Sequence, residues 1–209
     1  MAFLVALVAA APVQAQTSYA KEFWPEIDLH HWFGPNTQLI TLADHSTNRE
    51  SNQAYQGEVG AVLEHKFVDW FAARVGYRHG QSLNGGSYRE DRLLTEQTFY
   101  VYLPAQVKVG FRTREDFRWL DTGFSVRLRE RIQVERDFTI GSYIFTPYAS
   151  AETYFDTRYD QFSRFRLILG STFPVAKRIA VEPYLAHQVD TTPSVKIVDA
   201  IGLILHLTF

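Results

Sequence analysis

Between Phe124 and Arg136 the chain reads FSVRLRERIQVER, and its side chains alternate with a period of two. Arg127, Arg129, Arg131, Gln133 and Glu135 fall on one side. Phe124, Val126, Leu128, Ile132 and Val134 fall on the other, interrupted by Glu130. That period belongs to an extended strand, whose successive side chains point to opposite faces, and not to an amphipathic helix of period 3.6. A fold that contains this strand must give hydrocarbon and guanidinium groups separate compartments.

The pattern recurs in segments of about ten residues along the chain. They begin at Glu26 to Phe33 and Thr37 to Asp44, then Gln56 to Phe67 and Phe71 to His79. Arg92 to Leu103, Gln106 to Glu115 and Gly123 to Glu135 follow. The last four are Tyr143 to Phe155, Arg164 to Phe173, Ile179 to Gln188 and Val198 to Phe209. VDW, PA and PVAK are short connections, RDFTIGS is intermediate, and HSTNRESNQA, GQSLNGGSYRED, DTRYDQFS and VDTTPSVKIV are long and polar. Short turns at one end and long loops at the other predict an all-β, transmembrane up-and-down antiparallel β-barrel. No apolar run reaches the roughly 20 residues that a membrane-crossing helix needs.

Alternation alone does not say which face looks inward, because a soluble barrel encloses its apolar face and a membrane barrel displays it. Three features point to the membrane. FLVALVAAAPVQA, within residues 1–15, reads as a signal peptide cleaved before Gln16. Trp70, Phe71, Tyr143, Phe145, Tyr154 and Phe155 lie near strand ends, where aromatic girdles meet the lipid–water boundary. The final segment, IGLILHLTF, alternates Leu205, Leu207 and Phe209 onto one face. That ending resembles the terminal strand of bacterial outer-membrane proteins. The resemblance implies recognition by the barrel-assembly machinery during biogenesis. The expected location is the outer membrane of a Gram-negative cell, with outer-membrane lipid and lipopolysaccharide as surroundings and envelope proteins as further partners.

On this reading residues 37–209 form the barrel, with ten strands expected and twelve as the alternative, since single-chain bacterial barrels have even strand numbers. Residues 16–36 are then an N-terminal segment that enters the lumen or pairs at the seam.

The motifs VGFRTREDFRW, RLRERIQVER, PYASAETYF, RFRLILG and VEPYLAHQ, spread over Val109 to Phe209, resemble the exported barrel family called domain of unknown function 2490. The resemblance covers most of the mature chain and rests on strand motifs. It implies an outer-membrane barrel without an assigned activity.

Charge and composition remove several function classes. The formal net charge of −2 supplies no basic excess for nucleic acid. With no cysteine there is no thiolate chemistry and no disulfide framework. No Gly-rich loop opens a helix, so no cofactor is expected. His30 and His31 are adjacent and face opposite sides, while His65, His187 and His206 stand singly, so no metal site is expected either. Glu26 and Asp28 share the face of His30 and read as solvated carboxylates near a strand end.

Two constellations remain. Arg112, Arg114, Arg127, Arg129, Arg131, Arg164 and Arg166 should line the lumen, with Glu96, Glu152 and Glu182 as partners. They form either a charge network that fills a narrow barrel or the wall of a passage that selects anions. The segment YRHGQSLNGGSYREDR is similar to the active-site segment of outer-membrane phospholipase A, which implies Ser82 as nucleophile and His79 as base; the family's orienting Asn is absent, and Asp91 is the nearby substitute. His79 and Ser82 are three residues apart, which places them on opposite faces unless a bulge intervenes. A structural or solute-passing barrel is therefore the expected function, and a lipid hydrolase the alternative.

Overall fold

The computed structural model describes residues 17–209, so the expected signal peptide lies outside the described residues. Within them the chain forms twelve strands and no α-helix. The first six are β1 (Ser18–Trp32), β2 (Thr37–Asn48), β3 (Gln53–Val68), β4 (Phe71–Ser82), β5 (Arg89–Leu103) and β6 (Val107–Leu120). There follow β7 (Gly123–Arg136), the short β8 (Phe138–Ile140), β9 (Tyr143–Asp156), β10 (Gln161–Ala176), β11 (Ile179–Asp190) and β12 (Lys196–Thr208).

Each strand pairs antiparallel with the next around the cylinder, and β7 reaches β9 directly. The three-residue β8 pairs only with β9, continuing the path of β7 past the barrel rim as a small hairpin. Eleven strands thus close the barrel, between the expected ten and twelve. The eleventh is β1, from the segment before Thr37, which pairs at the seam. Parity requires β1 to run parallel to β12, with Ser18 opposite Lys196 and His30 opposite Thr208. Backbone bonds seal both ends of this seam, from Ser18 N to Val195 O at 3.0 Å and from Phe209 N to His30 O at 2.9 Å. An even strand number is needed only when every neighbour is antiparallel; one parallel pair admits an odd one.

The barrel strands run from 12 to 16 residues, longer than the roughly 9–11 that cross a bilayer. The expected long polar loops are consequently short. HSTN extends β2, QA begins β3, and RED begins β5. Polar composition marked where strands leave the apolar layer, not where pairing stops.

The two faces divide as the alternation demands. Val59, Leu63, Phe67, Val75, Phe111, Leu128, Ile132, Val134, Leu169 and Leu203 are exposed on the outside. Glu90, Glu96, Arg112, Arg114, Asp116, Arg118 and Glu152 are buried inside. Hydrocarbon outside and ions inside is the arrangement of a barrel solvated by lipid, where a midplane Arg or Lys would cost roughly 2–4 kcal/mol on the outer face. Near one rim Trp70, Phe71, Phe67 and Phe99 stack in a continuous aromatic group, and Phe138, Phe145 and Phe173 form a second. Tyr154 does not join a girdle. It shares the parity of Ser150 and Glu152, so its ring points inward and is 1% exposed, while Phe155 faces out.

Candidate functional site

The lumen is where charge, enclosure and space coincide. β6 and β7 together supply the densest group of cations, because Arg112, Arg114 and Arg118 share one parity on β6 and Arg127, Arg129 and Arg131 share the matching one on β7. The register places Arg112 opposite Arg131 and Arg114 opposite Arg129. Like charges directly opposite each other destabilise a sheet unless something intervenes. Carboxylates do so here. Asp116, fully buried, accepts from Arg114 Nε at 2.7 Å and Arg127 Nη2 at 3.0 Å. Glu152 on β9 accepts from Arg112 and, at 3.0 and 3.1 Å, from the Nε and Nη2 of Arg129. Arg118 reaches both Glu90 and Asp156, the latter at 2.8 Å. Tyr154 donates to Glu152 at 2.7 Å, and its ring lies 4.6 Å from the Arg129 guanidinium and 5.3 Å from that of Arg164. Both contacts use the electron-rich face of the ring to hold cations.

All seven arginines named from the sequence line one cavity. Glu96 pairs with Arg74 and Arg112, and Glu152 pairs as described. Glu182 is different. It accepts from Tyr148 at 2.7 Å, Thr172 at 3.1 Å and His206 at 3.1 Å, with no arginine partner among the described residues. Sequence reading missed Asp116 and Arg118 because the segment was ended at Glu115, where polar residues begin to crowd; their parity with Arg112 and Arg114 was the available signal. It also passed over Glu90, Arg92 and Asp156, which complete the ionic lining.

The cavity encloses about 660 Å³. Its lining reaches from Tyr55, Arg158, Asp190 and Lys196 at one end to His30, Gln133, Tyr148 and His206 at the other, so it follows the barrel axis. Thirteen arginine and lysine side chains line it against nine aspartates and glutamates. Four of these carboxylates gather on one side. In a cylinder of eleven strands β1 lies across from β6 and β7, so Glu22, Glu26 and Asp28 on β1 and Asp44 on β2 face the arginine wall. Arg131 and Arg166 line the cavity without an ion-pair partner among the described residues; Arg166 instead donates to Gln188 Oε1 at 2.6 and 2.9 Å. Enclosed N–H groups on Arg78, Arg112, Arg114, Arg118 and Arg131 find no acceptor among the described residues.

The residues suggested for hydrolysis separate. His79 Nδ1 lies 2.7 Å from Asp91 Oδ1 on the outer surface, the two being Cα partners on β4 and β5. Ser82 is not with them: its hydroxyl bonds to Asn84 at 2.8 Å and accepts from Gly86 N at 3.0 Å. β4 pairs with β3 in unbroken register from His79 to Ser82, so no bulge turns the serine toward the imidazole. The expected triad is two-thirds assembled and lacks its nucleophile. The histidines give the opposite result, because His30 and His206, read as isolated, meet with Asp28 across the seam.

A family model described as "Protein of unknown function (DUF2490)" matches residues 21–197. Among curated proteins, none matches the chain in sequence. Solved structures with similar folds include a KdgM porin, 14% identical over 80% of this chain and 88% of that one, with a TM-score of 0.47. An anion-selective porin from Comamonas acidovorans is 13% identical over 82% of this chain and 53% of its own length, with a TM-score of 0.42. The outer-membrane expressed OmpT of Vibrio cholerae is 11% identical over 78% of this chain and 60% of its own, with a TM-score of 0.38.

Proposed function

This chain belongs to the DUF2490 family, and from its lumen we propose that it is an outer-membrane barrel that lets small anionic solutes pass. One observation carries the reading: a polar cavity follows the barrel axis and is lined by more cations than anions. A network that merely filled the barrel would bring each guanidinium to a carboxylate and leave no continuous space. Here the carboxylates tie down the arginine wall from beneath, while Arg131 and Arg166 keep their charge for the lumen. A fixed guanidinium fork matches a carboxylate or phosphate in two hydrogen bonds, and rings of arginine are a recognised basis of anion selection. The acidic wall on β1 and β2 sets up a field across the passage, which orients solutes that carry both signs. The apolar exterior supports residence in an outer membrane, with lipid and lipopolysaccharide as its surroundings.

Reconstitution into planar bilayers tests this. The barrel should conduct, and its reversal potential in a salt gradient should show anion preference. Arg131→Glu combined with Arg166→Glu should shift that preference toward cations, and neither change breaks an ion pair. A folded barrel that never conducts would support the space-filling network instead.

A further inference from the structure

Three potential metal ligands meet at the closing seam: Asp28 and His30 on β1 and His206 on β12. Their ligating atoms all lie within 4.8 Å of one another. We propose that this cluster binds one divalent transition-metal ion, zinc above all, which clasps the first and last strands of the barrel together.

The parallel register makes the cluster. Asp28 is the Cα partner of His206, and His30 follows two residues later on the same lumen face. Although 176 residues separate them, His30 Nε2 and His206 Nδ1 are 3.2 Å apart, and Asp28 Oδ2 lies 3.6 Å from His206 Nδ1. Zinc held at about 2.0–2.1 Å by nitrogen and oxygen in a tetrahedron requires ligand atoms roughly 3.3 Å apart. The observed spacings bracket that edge length. All three residues line the cavity, which leaves a further coordination position open to the lumen.

The surrounding hydrogen bonds fix which ring nitrogens are free. His206 Nε2 faces Glu182 Oε2 at 3.1 Å, so that nitrogen carries the hydrogen and Nδ1 presents its lone pair. His30 Nδ1 faces Gln38 Oε1 at 2.9 Å, and Gln38 cannot turn its amide around because its Nε2 donates to Glu64 at 2.6 Å. His30 Nδ1 therefore carries its hydrogen and Nε2 is the free one. Two imidazole lone pairs thus point at each other beside a carboxylate, an arrangement completed by a cation. Metal-binding histidines characteristically donate their second ring N–H to a carboxylate or amide oxygen, as both do here. Asp28 adds an independent sign: its Oδ1 is enclosed and accepts no hydrogen bond among the described residues. Imidazole with carboxylate favours zinc and neighbouring transition metals over calcium or magnesium, which take oxygen ligands.

The test uses the full chain folded in detergent and stripped with chelator, and its probes are Co²⁺ and Zn²⁺ alone. The expected result is one Co²⁺ per barrel with the intense visible absorption of a four-coordinate ion, displaced by Zn²⁺ and unaffected by Mg²⁺. His30→Ala and His206→Ala should abolish the signal. Glu182→Gln should weaken affinity roughly 10–100-fold, as loss of a supporting carboxylate does elsewhere. Retained heat-modifiable gel mobility must show that each variant is still a barrel. The outward-facing His187→Ala should bind as the native chain does. Absence of stoichiometric binding would overturn the proposal and leave a shared proton between the imidazoles. Binding that survives both His30→Ala and His206→Ala would overturn it equally.

Discussion

Tyr184 lies over Gly202, its Cα partner on the neighbouring strand, so closely that a β-carbon at position 202 would fall inside the phenol ring. Tyr148 stands over Gly170 in the same way one pair of strands away, and its hydroxyl reaches Glu182. Both rings lie within the lumen lining, where a side chain on the partner would push them into the passage. Gly202→Ala should therefore cost about 1–3 kcal/mol, the usual range for overpacking. Tyr184→Ala in the same chain should recover much of it. Urea unfolding of the barrel in lipid vesicles, followed by tryptophan fluorescence, measures both.

Asp116 holds Arg114 and Arg127 and lies 3.8 Å from Arg129, with none of its surface exposed. Removing one partner from a buried ionic network leaves uncompensated charge and costs about 3–5 kcal/mol. Asp116→Asn should therefore destabilise strongly in the same unfolding assay. Adding Arg114→Gln should return part of the loss, because Arg114 already has an enclosed Nη2 without an acceptor. If Asp116→Asn left the unfolding midpoint unchanged, the network would be solvated rather than structural.

What could be read in advance follows from distance along the chain. Arg127, Arg129 and Arg131 disclose their common face because parity is local, and neighbouring strands inherit that face through antiparallel pairing. Parity would also have found Asp116 and Arg118, had the segment not been ended too early. The seam is another matter. Asp28 and His206 meet only because an odd strand number turns the last pairing parallel, and nothing within ten residues of either one records that number. Pro25 on β1 further obscures a strand that would otherwise read plainly, since proline withholds a backbone donor. Ser82 failed for a local reason that the spacing had already announced.

Glu130, the interruption in the opening alternation, faces outward with Glu115, and each accepts a hydrogen bond from a threonine. Thr113 Oγ1 reaches Glu130 at 2.9 Å and Thr95 Oγ1 reaches Glu115. Both glutamates sit near the middle of their strands, on the otherwise apolar outer face. Glu130→Leu should stabilise the isolated barrel in bilayers, by less than the roughly 2–4 kcal/mol that a midplane arginine would cost. Leu169→Arg, on an outward position that is 62% exposed, should lose that larger amount. Opposite signs for the two variants, from unfolding titrations in one lipid, would establish the outer face as the lipid face. A neutral Leu169→Arg would indicate water there.

The parallel seam makes the sharpest architectural prediction, and the absence of native cysteine makes it easy to read. Leu29 and Leu207 are Cα partners in β1 and β12. Leu29→Cys with Leu207→Cys should join rapidly through a short thiol-specific cross-linker in the folded barrel. Leu29→Cys with Ile201→Cys separates the thiols by six residues, about 20 Å along a strand at 3.3 Å per residue, and should not react. Antiparallel closure by ten or twelve strands would require a different set of partners for β12. Phe23→Cys with Ile201→Cys, Cα partners six residues back along both strands, should link as readily, and linkage at both partnered pairs fixes the direction of the seam and with it the odd strand number. The product should also run as a circularised species after boiling, because the link joins residues near opposite ends of the described chain. A cross-link that forms only in the second pair would mean that β1 meets β12 in another register. Asp28 and His206 would then be too far apart to share an ion.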